Sequence, residues 1–111
     1  MSEAYPAAGT FAGAASVFAA LGDTARLRIV ARLIDFGPLS ITRLAEGAEI
    51  SRQAVTKHLR ALGEAGLVRS VRAGRERIWE VQATRLAEIR RALDQIAARS
   101  DAVALGRDGG G

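Results

Sequence analysis

Between Ser51 and Val68 the chain reads SRQAVTKHLRALGEAGLV. Arg52, Gln53, Thr56, Lys57 and Arg60 are interleaved there with apolar residues at helical spacing. On a helical wheel Val55, Leu59 and Leu62 gather on one side, flanked by Ala54 and His58. The five polar residues gather on the other, with no acid between Arg52 and Arg60. Their chemistry suits the base edges of duplex DNA. Arginine or lysine can donate to guanine O6 and N7, a glutamine amide can pair with adenine, and threonine can meet a thymine methyl or a phosphate. A major groove admits one α-helix. A solvated helix surface can carry the same residue types, so the neighbouring elements must decide.

Those neighbours form a helix-turn-helix followed by a basic hairpin. Ser40 is placed to cap a short helix, ITRLAEGA, with Ile41, Leu44 and Ala45 inward and Gly47 breaking it. Ser51 is placed to cap the next, which Gly66 ends; its hydroxyl can also reach a phosphate. A short helix joined by a tight turn to a second one is the helix-turn-helix arrangement. LVRSVRA and RIWEVQ are β-branched and alternating, with Gly74-Arg75-Glu76 between them, and read as a two-stranded hairpin. Its Arg72, Arg75 and Arg77 make it a wing able to reach flanking phosphates or the minor groove.

Two helices precede this unit and one follows it. Phe11, Ala14, Ala15, Phe18 and Leu21 share a face of the first, which Gly22 stops. Asp23 caps the second, where Leu27, Val30, Leu33 and Ile34 form a stripe before Gly37-Pro38. Thr84 is placed to cap the last, RLAEIRRALDQIAARS, whose Leu86, Ile89, Leu93 and Ile96 have the spacing of a helix–helix seam. The expected fold is mainly α with a small β-hairpin, a winged helix-turn-helix of order α-α-α-α-β-β-α, dimeric. A flexible N-terminus is expected over 1–10, the DNA-binding and dimerisation domain over 11–100, and a flexible tail over 101–111.

The totals agree with one small domain. The chain has 111 residues and a net charge of +4, and the charge is localised. Residues 1–50 hold four arginines and five acids, residues 51–80 seven basic residues and three acids, and residues 81–111 five arginines and four acids. The excess therefore lies in the recognition helix and wing, as a polyanion partner would require. With no cysteine the chain has no disulfide or thiolate chemistry. No apolar run approaches the ~20 residues of a membrane span, and MSEAYPAAGT is unlike a secretory signal. A cytoplasmic protein without membrane partners is expected.

The sequence also resembles a known family. LGDTARLRIV (21–30), ISRQAVTKHLRALGEAGLV (50–68) and RAGRERIWEV (72–81) are similar to the ArsR family of bacterial winged helix-turn-helix repressors, and the resemblance covers roughly residues 11–100. Thr24 stands where the family commonly has proline, and Trp79 where it often has a tyrosine that packs under the wing. The resemblance implies a homodimer that represses transcription from a partly palindromic operator. It places the dimer interface on the first and last helices, at Phe11, Phe18, Leu86, Ile89, Leu93 and Ile96. The implied DNA-binding residues are Ser51, Arg52, Gln53, Thr56, Lys57, Arg60, Arg72, Arg75 and Arg77.

Many ArsR-like proteins sense metals, through cysteines on the third helix or paired Asp and His residues on the last. This chain has SITRLAEGA in the first place, and Glu88 and Asp94 on different faces without a histidine in the second. His58 has no acid three or four residues away and is expected behind the recognition helix, not on a metal. No cofactor and no metal are expected; the effector, whether small molecule, protein or none, stays open. No phosphate-binding glycine loop and no Ser-His-acid or Cys-His set can be assembled, so an enzyme is not expected. The alternative to a sequence-specific regulator is a winged helix that packs DNA non-specifically or binds protein.

Overall fold

The computed structural model describes residues 8–110, and side chains over 13–103. Its elements are α1 (Ala8–Leu21), α2 (Thr24–Phe36), β1 (Leu39–Ser40), α3 (Ile41–Ala48), α4 (Arg52–Glu64), β2 (Val68–Ala73), β3 (Glu76–Val81) and α5 (Ala83–Gly110). This is the winged helix-turn-helix expected, with one addition. The two residues of β1 pair antiparallel with β3, Leu39 opposite Trp79 and Ser40 opposite Ile78, so the wing is a three-stranded sheet of order β1-β3-β2. A two-residue strand leaves almost no periodic signal in sequence.

Caps and turns fix the helix starts. The Asp23 carboxylate accepts from the N–H groups of Ala25 at 2.8 Å and Arg26 at 3.2 Å. Ser40 Oγ accepts from Arg43 N–H at 3.2 Å, and Ser51 Oγ from Ala54 N–H at 3.0 Å. Gly66, at φ 77, turns the chain from α4 into β2. The hairpin loop is only Gly74 and Arg75, since Ala73 already pairs with Glu76, and Gly74 supplies the positive φ of 64.

Four expectations need correction. α3 spans the expected ITRLAEGA, Ile41–Ala48, but Gly47 is not its breaker: the helix ends at Glu49, which takes the left-handed conformation at φ 57. Gly47 is there for clearance, because a Cβ on it would fall on the Arg32 guanidinium. Gln82, not Thr84, stands at the start of α5, its carbonyl accepting from the N–H groups of Arg85 and Leu86. On α2 the inward residues are Ile29, Val30 and Leu33, while Leu27 and Ile34 are exposed. The last helix also continues past Ser100, where the sequence pattern ended, to Gly110.

The core draws on every helix and on β2. Val17, Ile29, Leu44, Val55, Leu59, Leu62 and Leu67 are fully buried, and Trp79, Val81 and Leu86 pack against them. On α1 it is Ala14, Val17 and Ala20 that face this core, while Ala15 and Phe18 are exposed. Arg85 ties three segments together beside it. Its guanidinium donates to the carbonyls of Ala65 at 3.0 Å and Gly13 at 3.4 Å, and pairs with Glu88 at 3.2 Å. It thereby holds α5 and α1 to the turn that ends the recognition helix.

Candidate nucleic-acid interface

α4 is held from behind. Val55, Leu59 and Leu62 have no exposed surface, which fixes the helix against the core and sets the direction of its other face. That face presents Arg52, Gln53, Lys57 and Arg60, all exposed, with Thr56 between them. The five residues, joined by Ile41 of α3, line one open concavity. The Thr56 hydroxyl donates to the Arg52 carbonyl at 2.8 Å. Its proton is thus already used, and what it can offer outward is a methyl group and an acceptor lone pair. Ser51 is exposed, with its oxygen engaged as the cap.

The wing divides its charges between two faces. On one face Arg69 is neutralised by Glu80 at 2.9 Å. On the other Arg72 lies directly opposite Arg77, an unfavourable like-charge pair that an anion would relieve. Arg77 donates to Ser70 Oγ at 2.8 Å, and among the described residues neither arginine has a carboxylate partner. Arg75 is exposed at the loop. Arg77 and Arg52 share a cleft with Ser40, Ile41, Thr42 and Glu76, so the loop end of β3 and the start of α4 meet there. Arg72 and Arg75 stand outside that cleft. Glu76 is the one acid in it, and its charge works against an approaching phosphate.

His58 sits at the rear of α4, half-buried, with Nδ1 accepting from Arg26 Nε at 3.4 Å. Arg26 also follows the Asp23 cap. The N–H of Arg26, more than any other group, holds the Asp23 carboxyl below its usual range, with the Ala25 N–H and the Arg26 charge adding to the effect. These three residues link the start of α2 to the back of the recognition helix. Among the described residues no group of three or more His, Cys, Asp or Glu side chains converges as a metal site would require.

Of the residues expected to form a partner surface, the structure separates two sets. Ile89 is 6% exposed and Leu86 packs on the chain's own core. Leu93, Ile96 and Phe18 are 50%, 46% and 37% exposed. Val103, which the sequence reading missed because its helix was ended too early, continues the open stripe at 59%. The side chain of Phe11 lies outside the described residues.

Comparisons with known proteins agree with this geometry. The family described as a helix-turn-helix domain matches residues 21–71. The HTH-type transcriptional regulator Rv2034 of Mycobacterium tuberculosis (strain ATCC 25618 / H37Rv) is 41% identical over 81 residues, 73% of this chain and 75% of that protein. An ArsR-like transcriptional regulator from Rhodococcus sp. RHA1 superposes with a TM-score of 0.79 at 41% identity, covering 88% of this chain and 92% of that one. The homodimeric winged helix-turn-helix DNA-binding domain of Mb0332 from Mycobacterium bovis has the same fold, with a TM-score of 0.66 at 24% identity over 84% of each chain. A caged recognition helix, a cationic wing and these likenesses converge: the chain belongs to the ArsR family of winged helix-turn-helix DNA-binding transcriptional regulators.

Proposed function

We propose that the chain acts in the cytoplasm as a homodimer that represses transcription from a partly palindromic operator. The observation that carries the dimer is the second half of α5. From Leu93 to Val103 every residue is exposed, yet Leu93, Ile96 and Val103 continue the arc that Leu86 and Ile89 bury at the other end. A second copy laid along α1 and α5 would cover that stripe together with Phe18. Mb0332, of the same fold, is a homodimer.

Two-fold symmetry then sets the two α4 helices in successive major grooves, ~34 Å apart. Arg52, Gln53, Thr56 and Lys57 read base edges, because the first turns of a recognition helix enter deepest. Arg60 and Ser51 take phosphates, and Arg72, Arg75 and Arg77 hold the backbone or the minor groove. A footprint on the promoter of the protein's own gene tests this. Two protected half-sites one helical turn apart are expected; a single protected half-site, or uniform protection of all DNA, would contradict it. No metal is assigned to either site the family uses, since α3 lacks cysteine and α5 carries Glu88, Asp94, Asp101 and Asp108 but no histidine. Zinc titrated into the protein by calorimetry should give no tight stoichiometric binding.

A further inference from the structure

On the side of α3 turned away from α4, a cleft of about 480 Å³ opens between α3 and α2. Arg32, Phe36, Leu39, Arg43, Glu46 and Gly47 line it. On the α3 wheel Arg43, Glu46 and Gly47 lie opposite Ile41, Leu44 and Ala45, which face the core and the recognition helix. The cleft is therefore distinct from the concavity that carries Arg52 to Arg60.

Neither of its two cations has a carboxylate partner among the described residues. The Arg32 guanidinium lies over the Phe36 ring, 5.1 Å from the centroid, and against the bare backbone of Gly47. Its Nε is buried and has no hydrogen-bond partner among the described residues, an arrangement that costs stability unless something compensates it. Arg43 makes no side-chain hydrogen bond or ion pair among the described residues, and Glu46 at the rim pairs with neither arginine. Glu46 sets one negative charge against the two arginines, so the cleft keeps a net positive charge and still favours an anion. Phe36, 66% exposed, and Leu39 supply an apolar wall beside the charges. A cleft of this size with a flat apolar wall and two guanidinium groups matches a ligand with one anionic end and one apolar body.

We propose that this α2–α3 cleft binds a small organic carboxylate, its charge between Arg32 and Arg43 and its apolar part on Phe36 and Leu39. Guanidinium groups suit a carboxylate because their paired N–H donors match its two oxygens. Gly47 is then explained twice over: its missing side chain lets Arg32 lie flat against α3 and leaves the floor of the cleft open. A ligand here would brace the first helix of the helix-turn-helix against α2 without touching the DNA-reading face.

The test is an amide chemical-shift titration of the full chain at constant ionic strength, with benzoate, benzylamine and inorganic phosphate as probes. Benzoate should move the resonances of Arg32, Phe36, Arg43, Glu46 and Gly47, and benzylamine should not. Phosphate should bind the same residues at least about tenfold more weakly, for lack of an apolar body. Arg43→Ala, an exposed change that leaves the core alone, should weaken benzoate about tenfold or more. The same variant should bind random duplex DNA within about twofold of wild type, because the cleft lies off the DNA face. The proposal is overturned if benzoate shifts centre on Arg52 to Arg60 or the wing, if benzylamine or phosphate does as well as benzoate, or if Arg43→Ala changes nothing. A fall in DNA affinity as large as that of Arg60→Ala would instead make the cleft part of the DNA surface. The benzoate titration is read separately from the promoter footprint that tests the proposed function, so either reading can fail without the other.

Discussion

The DNA face and the α1–α5 face differ in how much of each a single chain completes. The proposed DNA face is finished: Ser51 caps α4, Val55, Leu59 and Leu62 lock its back, and four exposed polar side chains project from the front. The α1–α5 face is half-finished. Leu86 and Ile89 are satisfied by the chain's own core, whereas Leu93, Ile96, Val103 and Phe18 are not. The contrast follows from the physics of each task. Hydrogen-bonding groups can wait in water at little cost until DNA arrives, but a continuous apolar stripe demands cover. On the proposed dimer one helix thus has a folding half and an assembly half, and the boundary falls between Ala92 and Leu93.

Breaking that boundary should give the largest effects. Ile89→Glu places a charge in the core and should destabilise the monomer by roughly 3–5 kcal/mol, seen as early loss of helix signal on denaturant titration. Leu93→Glu should leave each chain folded but separate the dimer. Light scattering should show the monomer mass, and operator affinity should fall about 100-fold or more as two-site binding is lost. If both variants behave alike, the division of α5 is wrong. Within the DNA face the effects should be smaller and more local. Gln53→Ala should relax preference at one base position at a cost of about 1–3 kcal/mol, read by binding to a panel of single-base operator variants. Arg75→Ala should weaken all sequences similarly and lower the salt-dependence slope by about 1.

The smallest effect concerns the Asp23 cap behind α4. Its carboxyl titrates below the ordinary value of 3.8, held down first by the Arg26 N–H. The ionised form is therefore the better cap, and its contribution is present above pH 3.8 and lost as pH falls through the lowered native value. Asp23→Ala should lower Tm at pH 7, and its gap from wild type should narrow below that point.

The same contrast explains what was legible in the sequence. The recognition helix and the wing could be read because their signals are local: caps, a three-residue and four-residue apolar rhythm, a glycine turn and clustered arginines. β1 could not, because two residues make a strand only by finding Trp79 and Ile78 on another segment. Gly47 was read as a stop when it is clearance for Arg32, although a glycine inside a helical pattern is itself a hint of close packing. Arg85 carried no signal at all. Its bonds to Gly13 and Ala65 join parts of the chain 72 and 20 residues away, and nothing near it in sequence announces them. The seam of α5 was found as one stripe, but the split into a buried and an open half depends on where the body of the chain ends, which only the fold decides.

The central claim is that this face reads sequence, and does so twice per operator. The direct measurement is a titration of the full chain against a duplex from its own promoter and a shuffled duplex of equal length, with mass and affinity recorded together at one salt concentration. Two chains per promoter duplex are expected, bound about 1,000-fold more tightly than the shuffled DNA. Equal affinity for the two duplexes, or tight binding by a single chain, would contradict the account.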